Sequence, residues 1–357
     1  MSRQTILGVL VGVVFMALAF LGIPLSEFFT ALGTLNLGWL GLFTLLLFIQ
    51  IGLQALRQQI MLAEAAPGMT FRSSFSIMVI GQFSIQAFPA RLGELARPWL
   101  LKRAEAVPYG AGLGILALER ALDLVALLLA LVLMLLWVDT PTAALVVAGY
   151  PIDLAAWCWS SARLLVPLIA AAVLVLVVLG ETLLDRIDPL VRHLLGERLD
   201  GLLGFARTFT QAFRALRSPL RLTAILVLTV VIWSEVALMY LVLGYGFGLE
   251  EWIGYPESVG VMTITALGSL LPAPPGMAGV QEAFGRGALA LFGVHGGSMD
   301  AIALGYAVVA HWWQFLLIAA VAAASTSRQG LRLSDLISQA RKDYERDQAA
   351  SPAADDP

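Results

Sequence analysis

The stretch Phe88-Pro89-Ala90-Arg91-Leu92-Gly93-Glu94 and its counterpart Leu271-Pro272-Ala273-Pro274-Pro275-Gly276-Met277-Ala278-Gly279-Val280-Gln281-Glu282 each interrupt an otherwise apolar segment, one in each half of the chain. Proline removes a backbone donor and breaks regular helix. Backbone left unpaired in hydrocarbon is costly, so helices break at membrane depth only where protein or a polar cavity satisfies the freed groups. Corresponding breaks in two halves point to a transporter, with a substrate pathway near the bilayer midplane.

The rest of the chain fits that setting. Of 357 residues, 59% are hydrophobic and 13% charged, with a mean hydropathy of +0.85, against about 25% charged residues in soluble domains. The net charge of -3 says little about partners, and nucleic acid is not expected among them. The single Cys158 excludes an intramolecular disulfide and a multi-cysteine metal site. His193, His295 and His311 fall in no paired spacing, so neither a metal nor a cofactor is expected. No glycine-rich nucleotide cradle and no nucleophile elbow is present. Residues 5 to 23 follow Arg3 and contain Ala17-Leu18-Ala19, as a signal peptide would, but they read as an uncleaved first helix.

Apolar runs at 5 to 23, 38 to 62, 108 to 138, 161 to 180, 221 to 246 and 300 to 325 are long enough to span. Segments 73 to 104 and 258 to 294 have arms of only about 12 to 16 apolar residues, short for a span, and read as re-entrant hairpins. The expected fold is an all-α polytopic membrane protein of about six full spans plus two hairpins, arranged as inverted repeats. The first repeat covers 1–138, an external loop 139–160 and the second repeat 161–325. Residues 326–357 form a largely disordered cytoplasmic tail. An odd number of spans per half inverts the second copy, so the hairpins enter from opposite sides.

Charge placement agrees with cytoplasmic termini. Of the 22 Lys and Arg, all but Arg120, Arg163 and Arg286 fall on the cytoplasmic side of this topology, Arg57 counted among them. Between the halves, 181–220 carries apolar residues at helical spacing among arginines. It reads either as an amphipathic segment along the inner leaflet or as an ordinary connector with a solvated basic face.

Charges inside a membrane cost at least about 2.5 kcal/mol each on insertion scales, which makes each a functional candidate. Arg91, Glu94 and Arg97 recur every three residues after Pro89 and share a helical face. A helix restarting there offers free N–H groups to a phosphate, with Arg91 as a bidentate clamp. Glu119 and Asp123 share a face while Arg120 turns away, and Glu119 lies roughly 16 Å along its helix, near the midplane. These acids either carry protons and gate the pathway, or form salt bridges to Arg91 or Arg97 that fasten the span to the first hairpin. In the second break Pro272, Pro274 and Pro275 forbid helix, while Gly276 and Gly279 let backbone approach a ligand. Glu282 and Arg286 then follow at i, i+4, in the order that favours an internal pair. Thr263, Thr265 and Ser269 can satisfy freed carbonyls. Glu235 shows no evident partner and is a candidate proton carrier, or sits at a loop end. Trp157, Trp159, Trp233, Trp252, Trp312 and Trp313 mostly fall near predicted span ends, as an interfacial belt would.

These residues resemble the integral-membrane family named for the transmembrane region of lysylphosphatidylglycerol synthase, often called flippase-like, over most of residues 1 to 330. The shared marks are Pro89, Arg91, Gly93, Glu94 and Arg97; then Glu119, Arg120 and Asp123; then Pro272, Pro275, Gly276, Gly279 and Glu282, with one extra proline. Gln86 stands where the family often has an asparagine. The resemblance implies a flippase of the bacterial cytoplasmic membrane moving an aminoacylated, glycosylated or isoprenoid lipid, with a separate lipid-synthesising enzyme as a candidate partner. Arg91, Glu94, Arg97, Gln86, Gly276, Gly279, Glu282 and Arg286 would then bind substrate. Two other classes stay open: a membrane-embedded enzyme using Glu94 and Glu282 as acid and base, and a scaffold subunit of a lipid-modifying complex.

Overall fold

The computed structural model describes residues 3–88, 93–138, 145–147, 150–152, 154–195, 200–269 and 274–328. Pro89, Arg91 and Pro272, and the tail beyond Arg328, lie outside the described residues. The protein is an all-α polytopic membrane protein, with thirteen α-helices among the described residues. Five of them are long and apolar enough to cross a membrane: α3 (Leu37–Met61), α6 (Tyr109–Trp137), α7 (Leu154–Val178), α10 (Pro219–Gly246) and α13 (Ser298–Arg328).

The expected first span departs from this pattern. α1 (Arg3–Phe20) meets α2 (Leu25–Gly33) at a bend of 76°, and the bent pair counts as a sixth candidate span. Gly22 takes a positive φ of 77°, and Pro24 starts the new helix, so the sequence enforces the corner.

Both broken segments are pairs of short helices packed on each other: α4 (Phe71–Ala87) with α5 (Ala96–Glu105), and α11 (Tyr255–Gly268) with α12 (Val280–Leu291). The four arms are 17, 10, 14 and 12 residues long, below the roughly 20 that span a bilayer. Their ends carry local signals. Thr70 Oγ1 accepts the Ser73 N–H at the start of α4. Gly254 and Gly279 each donate their backbone N–H to the glutamate three residues on, Glu257 and Glu282, at the starts of α11 and α12.

Two other segments differ from their sequence reading. Within 139–160, Leu145–Val147 pairs antiparallel with Tyr150–Ile152, and α7 already begins at Leu154. The β-branched Val146, Val147 and Ile152 suit the extended pairing. In 181–220, α8 (Gly180–Leu195) is followed by α9 (Asp200–Gln211) and a 3-10 turn (Ala212–Arg217). α9 packs directly on α6. Gly110 and Gly114 of α6 leave the room: a Cβ on Gly114 would lie 2.4 Å from the Phe209 carbonyl oxygen.

α3 and α10 form the most extensive helix pair and run antiparallel, with Asn36 bonded to Gly246 at one end and Glu64 to Arg221 at the other. Around them α4 packs on α3 and α13, while α11 packs on α10 and α6. α5 packs against α6, and α12 against α13; α2 lies on α13 as α9 lies on α6. At the centre the last turn of α4 meets the second break, where Ile85 packs on Met277 and Val280. Phe43, Leu47, Ile51, Ile80, Leu100, Ile115, Leu243 and Leu289 fill the main core.

Candidate functional site

Two polar assemblies sit side by side among the central helices. The first is an ion cluster. Arg57 of α3 donates Nη1 to Asp123 Oδ1 at 2.7 Å and to Thr229 Oγ1 at 3.0 Å, and Nη2 to Asp123 Oδ2 at 3.3 Å. Arg97 of α5 donates to both oxygens of Glu119 at 3.1 and 2.8 Å, and to Gln58 Oε1 at 2.6 Å. Arg57 Nη2 also stands 3.5 Å from Glu119 Oε1. Trp233 Nε1 donates to Asp123 Oδ1 at 3.2 Å, and Gln58 continues the network to Ser74 of α4 at 3.0 Å. All four charged side chains are buried, and they sum to zero charge.

This cluster revises several expectations. Glu119 and Asp123 share a face as their spacing requires, and they bracket Arg57 of α3, a partner the sequence did not single out. Arg97 is 2% exposed, and its terminal nitrogens bond Glu119 and Gln58. A bare Gly81 admits it: a Cβ there would lie 2.1 Å from Arg97 Cγ. The salt-bridge reading therefore holds for Glu119 with Arg97, while Asp123 takes Arg57. Trp233 is no interfacial anchor; it sits mid-helix and closes the cluster. Trp312 and Trp313 likewise fall in the middle of α13, and Trp313 Nε1 donates to Thr44 Oγ1 at 2.8 Å.

The second assembly is a polar cavity of about 240 Å3. Five glutamines line it: Gln50 of α3, Gln82 and Gln86 of α4, Gln281 of α12 and Gln314 of α13. Arg120, Tyr240, Thr265, Ser269 and His311 complete its polar wall, with Trp233, Met262 and Met277 among its apolar edges. Arg120 lies eleven residues into α6, and its side chain is 43% exposed. Its only cluster contact is a long one, Nη2 to Glu119 Oε1 at 3.4 Å. A cation at mid-helix is held here by a polar hollow. Thr265 and Ser269 donate their hydroxyls to Val261 and Ala266 carbonyls of their own helix, as expected near a break. Thr263 Oγ1 is buried without a partner among the described residues.

Behind the cavity wall, Glu282 is fully buried. Its Oε2 accepts the Gly279 N–H at 2.7 Å, and its Oε1 lies 2.7 Å from His311 Nδ1. The expected pair of Glu282 with Arg286 does not form. Arg286 instead donates to the Ala19 and Leu21 carbonyls at 2.7 and 3.1 Å, capping α1, and to Asp300 at 3.2 Å. Both oxygens of Glu282 are thus engaged within the protein. Gly276 and Gly279 do not hold a gap open for a ligand. A Cβ on Gly279 would lie 2.4 Å from the Gly12 carbonyl oxygen of α1, and Trp312 covers Gly276. Their positive φ values, 75° and 85°, are what the turn requires. Pro274 packs on Gly12. Gly93 serves a similar end, since a Cβ there would lie 1.9 Å from the Ser84 carbonyl oxygen. Glu94 is half-buried ahead of α5. Glu235 does not line the cavity, and both its carboxylate oxygens are buried without a partner among the described residues.

Two apolar grooves flank α6. One of about 400 Å3 runs along Leu129, Leu133, Trp137, Val230, Tyr255 and Val259, and shares Trp233 and Met262 with the polar cavity. The other, about 910 Å3, is walled by Phe15, Leu128, Leu131, Leu165, Ile264 and Phe284, with Arg286 and Asp300 among its lining.

These features define a class: a polytopic helical membrane protein whose central polar cavity adjoins apolar, lipid-sized grooves. The chain belongs to the lysylphosphatidylglycerol synthase transmembrane-region family, whose model matches residues 5–321. That family is named for the membrane part of a synthase that modifies lipid head groups. No curated protein matches the chain, and no solved structure does.

Proposed function

We propose that this protein is a translocase for an anionic or phosphate-bearing lipid of the bacterial cytoplasmic membrane. The observation that carries the reading is Arg120, a mid-helix cation open to a glutamine-lined cavity whose wall, at Trp233 and Met262, is also the wall of an apolar groove. A head group in the cavity meets a cation and many hydrogen-bonding groups, while its chains keep to the groove and to lipid. An arginine at the bilayer centre costs about 2.5–3.5 kcal/mol on insertion scales, and a polar hollow offsets that cost. Arg91 and Glu94 of the first break remain candidates for substrate binding from the sequence pattern alone.

The two broken segments would enter as re-entrant hairpins from opposite faces, with both termini cytoplasmic. The packing supports an inverted repeat: exchanging α3 with α10, α4 with α11 and α6 with α13 maps the main neighbour relations onto one another. The substrate would come from a separate lipid-synthesising enzyme. Aminoacyl-phospholipid, glycolipid and isoprenoid lipid are the candidate substrates.

Head-group-resolved lipid scrambling in liposomes tests the reading, with wild type beside Arg120→Gln and folding checked by gel filtration. Wild type should move one anionic lipid class, and Arg120→Gln, folded normally, should not. A wild type that moves no lipid, or a variant that moves it equally well, rejects the proposal.

A further inference from the structure

His311 was not singled out by any spacing in the sequence, yet its surroundings differ from those of a satisfied core histidine. It is 4% exposed and lines the polar cavity. Nδ1 is taken by Glu282, while Nε2 is buried and has no hydrogen-bond partner among the described residues. Glu282 already accepts a backbone N–H at the start of α12, so it acts as an acceptor toward the ring too, and the proton assigned to Nδ1 follows from that partner. Nε2 is then a lone pair in the neutral ring and an N–H donor in the imidazolium. The protein satisfies neither.

The charged and titratable groups around the ring are few. α12 contributes Glu282; α6 contributes Arg120 across the cavity; α10 contributes the Tyr240 hydroxyl. α4 offers only the neutral amides of Gln82 and Gln86, and Glu27 of α2 is exposed at the far turn of its helix. Arg286 is turned to α1 and Asp300. With a neutral ring, Glu282 is a buried carboxylate held by the Gly279 N–H at the start of α12 and by the ring N–H. With a charged ring, the pair is neutral, and Nε2–H is a donor awaiting an acceptor.

We propose that His311 contacts the ligand directly and, with Arg120, forms a two-cation seat for a phosphate-bearing anion taken up together with one proton. Glu282 is a positioning residue that holds the ring through Nδ1. Gln50, Gln86 and Gln314, which make no side-chain hydrogen bond among the described residues, face the remainder of the head group. That lining fits a head group rich in hydroxyls or amides. This deepens the translocase reading, and its lipid arm rests on it.

The test reads His311 at equilibrium. Imidazole nitrogen chemical shifts are followed against pH in the full chain carrying His193→Gln and His295→Gln. The protein is held in phosphatidylcholine nanodiscs, in nanodiscs that also contain phosphatidylglycerol, and in the first with added inorganic phosphate. Phosphatidylglycerol should raise the midpoint of ring protonation by about one pH unit, equivalent to tenfold tighter binding to the charged form. An equal rise with inorganic phosphate keeps the seat and assigns it to a soluble anion. A midpoint that is the same in all three conditions overturns the proposal. Glu282→Gln supplies a second reading, since its amide can still bond Gly279 and can donate to Nδ1, leaving the proton on Nε2 of a neutral ring. Translocation by that variant should persist with a flattened pH profile; an unchanged profile overturns the positioning role. A wild type that shows the shift but moves no lipid rejects the translocase and keeps the seat. A wild type that moves lipid without the shift does the reverse.

Discussion

Replacing Arg57 by methionine isolates what the ion cluster contributes. Methionine keeps an unbranched stem and removes the guanidinium, deleting hydrogen bonds at 2.7 and 3.3 Å to Asp123 and 3.0 Å to Thr229, and the 3.5 Å approach to Glu119. If hydrogen bonds alone counted, three at the average of about 0.6 kcal/mol for membrane helices would total about 2 kcal/mol. The cluster would also fall from zero charge to a single negative charge, on an Asp123 only 7% exposed. Stranding one partner of a buried pair costs about 3–5 kcal/mol, so the stranded charge decides the outcome. Arg57→Met should therefore lose about 3–5 kcal/mol of stability. Arg57→Met with Asp123→Leu, which restores neutrality around Arg97 and Glu119, should recover to within about 1 kcal/mol of wild type. Reversible unfolding in mixed micelles, followed by tryptophan fluorescence, measures all four corners of the cycle. If the single substitution costs under about 1 kcal/mol, or the two costs simply add, the cluster is not the electrostatic unit described here.

Further expectations test the packing and the grooves. Gly93→Ala should cost about 1–3 kcal/mol and sharply lower the folded yield in gel filtration, because its Cβ would overlap the Ser84 carbonyl. Gly287, in the lining of the 910 Å3 groove, has nothing within 4 Å of a built Cβ. Gly287→Leu should therefore fold as well as wild type or gain up to about 1 kcal/mol of helix propensity, while slowing scrambling if acyl chains use that groove; unchanged scrambling would remove the groove from the pathway. Arg286→Met should cost about 1–2 kcal/mol by uncapping α1, seen as faster hydrogen exchange at Leu18–Leu21 with α6 unaffected.

Much of the architecture was legible because lipid imposes strong patterning. Apolar runs of span length had to be helices, and proline with glycine had to break two of them. The first span is a helix as its apolar run requires, but length alone does not show the corner that follows it, although Gly22 and Pro24 stand in the sequence to signal it. Arg57 counts in the sequence only as a cytoplasmic-side charge near the end of an apolar run, because its partners come from α6 and α10, distant in sequence. The cavity was missed for a related reason: each glutamine is unremarkable alone, and only the fold gathers those of four helices. A signal was available. Gln50, Gln54 and Gln58 recur every four residues on α3, as do Gln82 and Gln86 on α4, and His311 stands three before Gln314 on α13. Amide stripes at helical spacing inside apolar runs mark a polar face as charges do. The i, i+4 rule for Glu282 and Arg286 failed because Gly279, His311 and the end of α1 offered each residue a better partner.

The seam between α1 and the second break has a mechanical consequence. Gly12 lies bare against Pro274, Gly279 lies bare against Gly12 and Met16, and Arg286 grips the carbonyls that end α1. Two backbones meshed at that distance, with no flexible side chain between them, leave nothing that can yield. A shift of the proline-glycine turn must carry α1 along as a rigid lever, pivoting at the corner between Leu21 and Pro24.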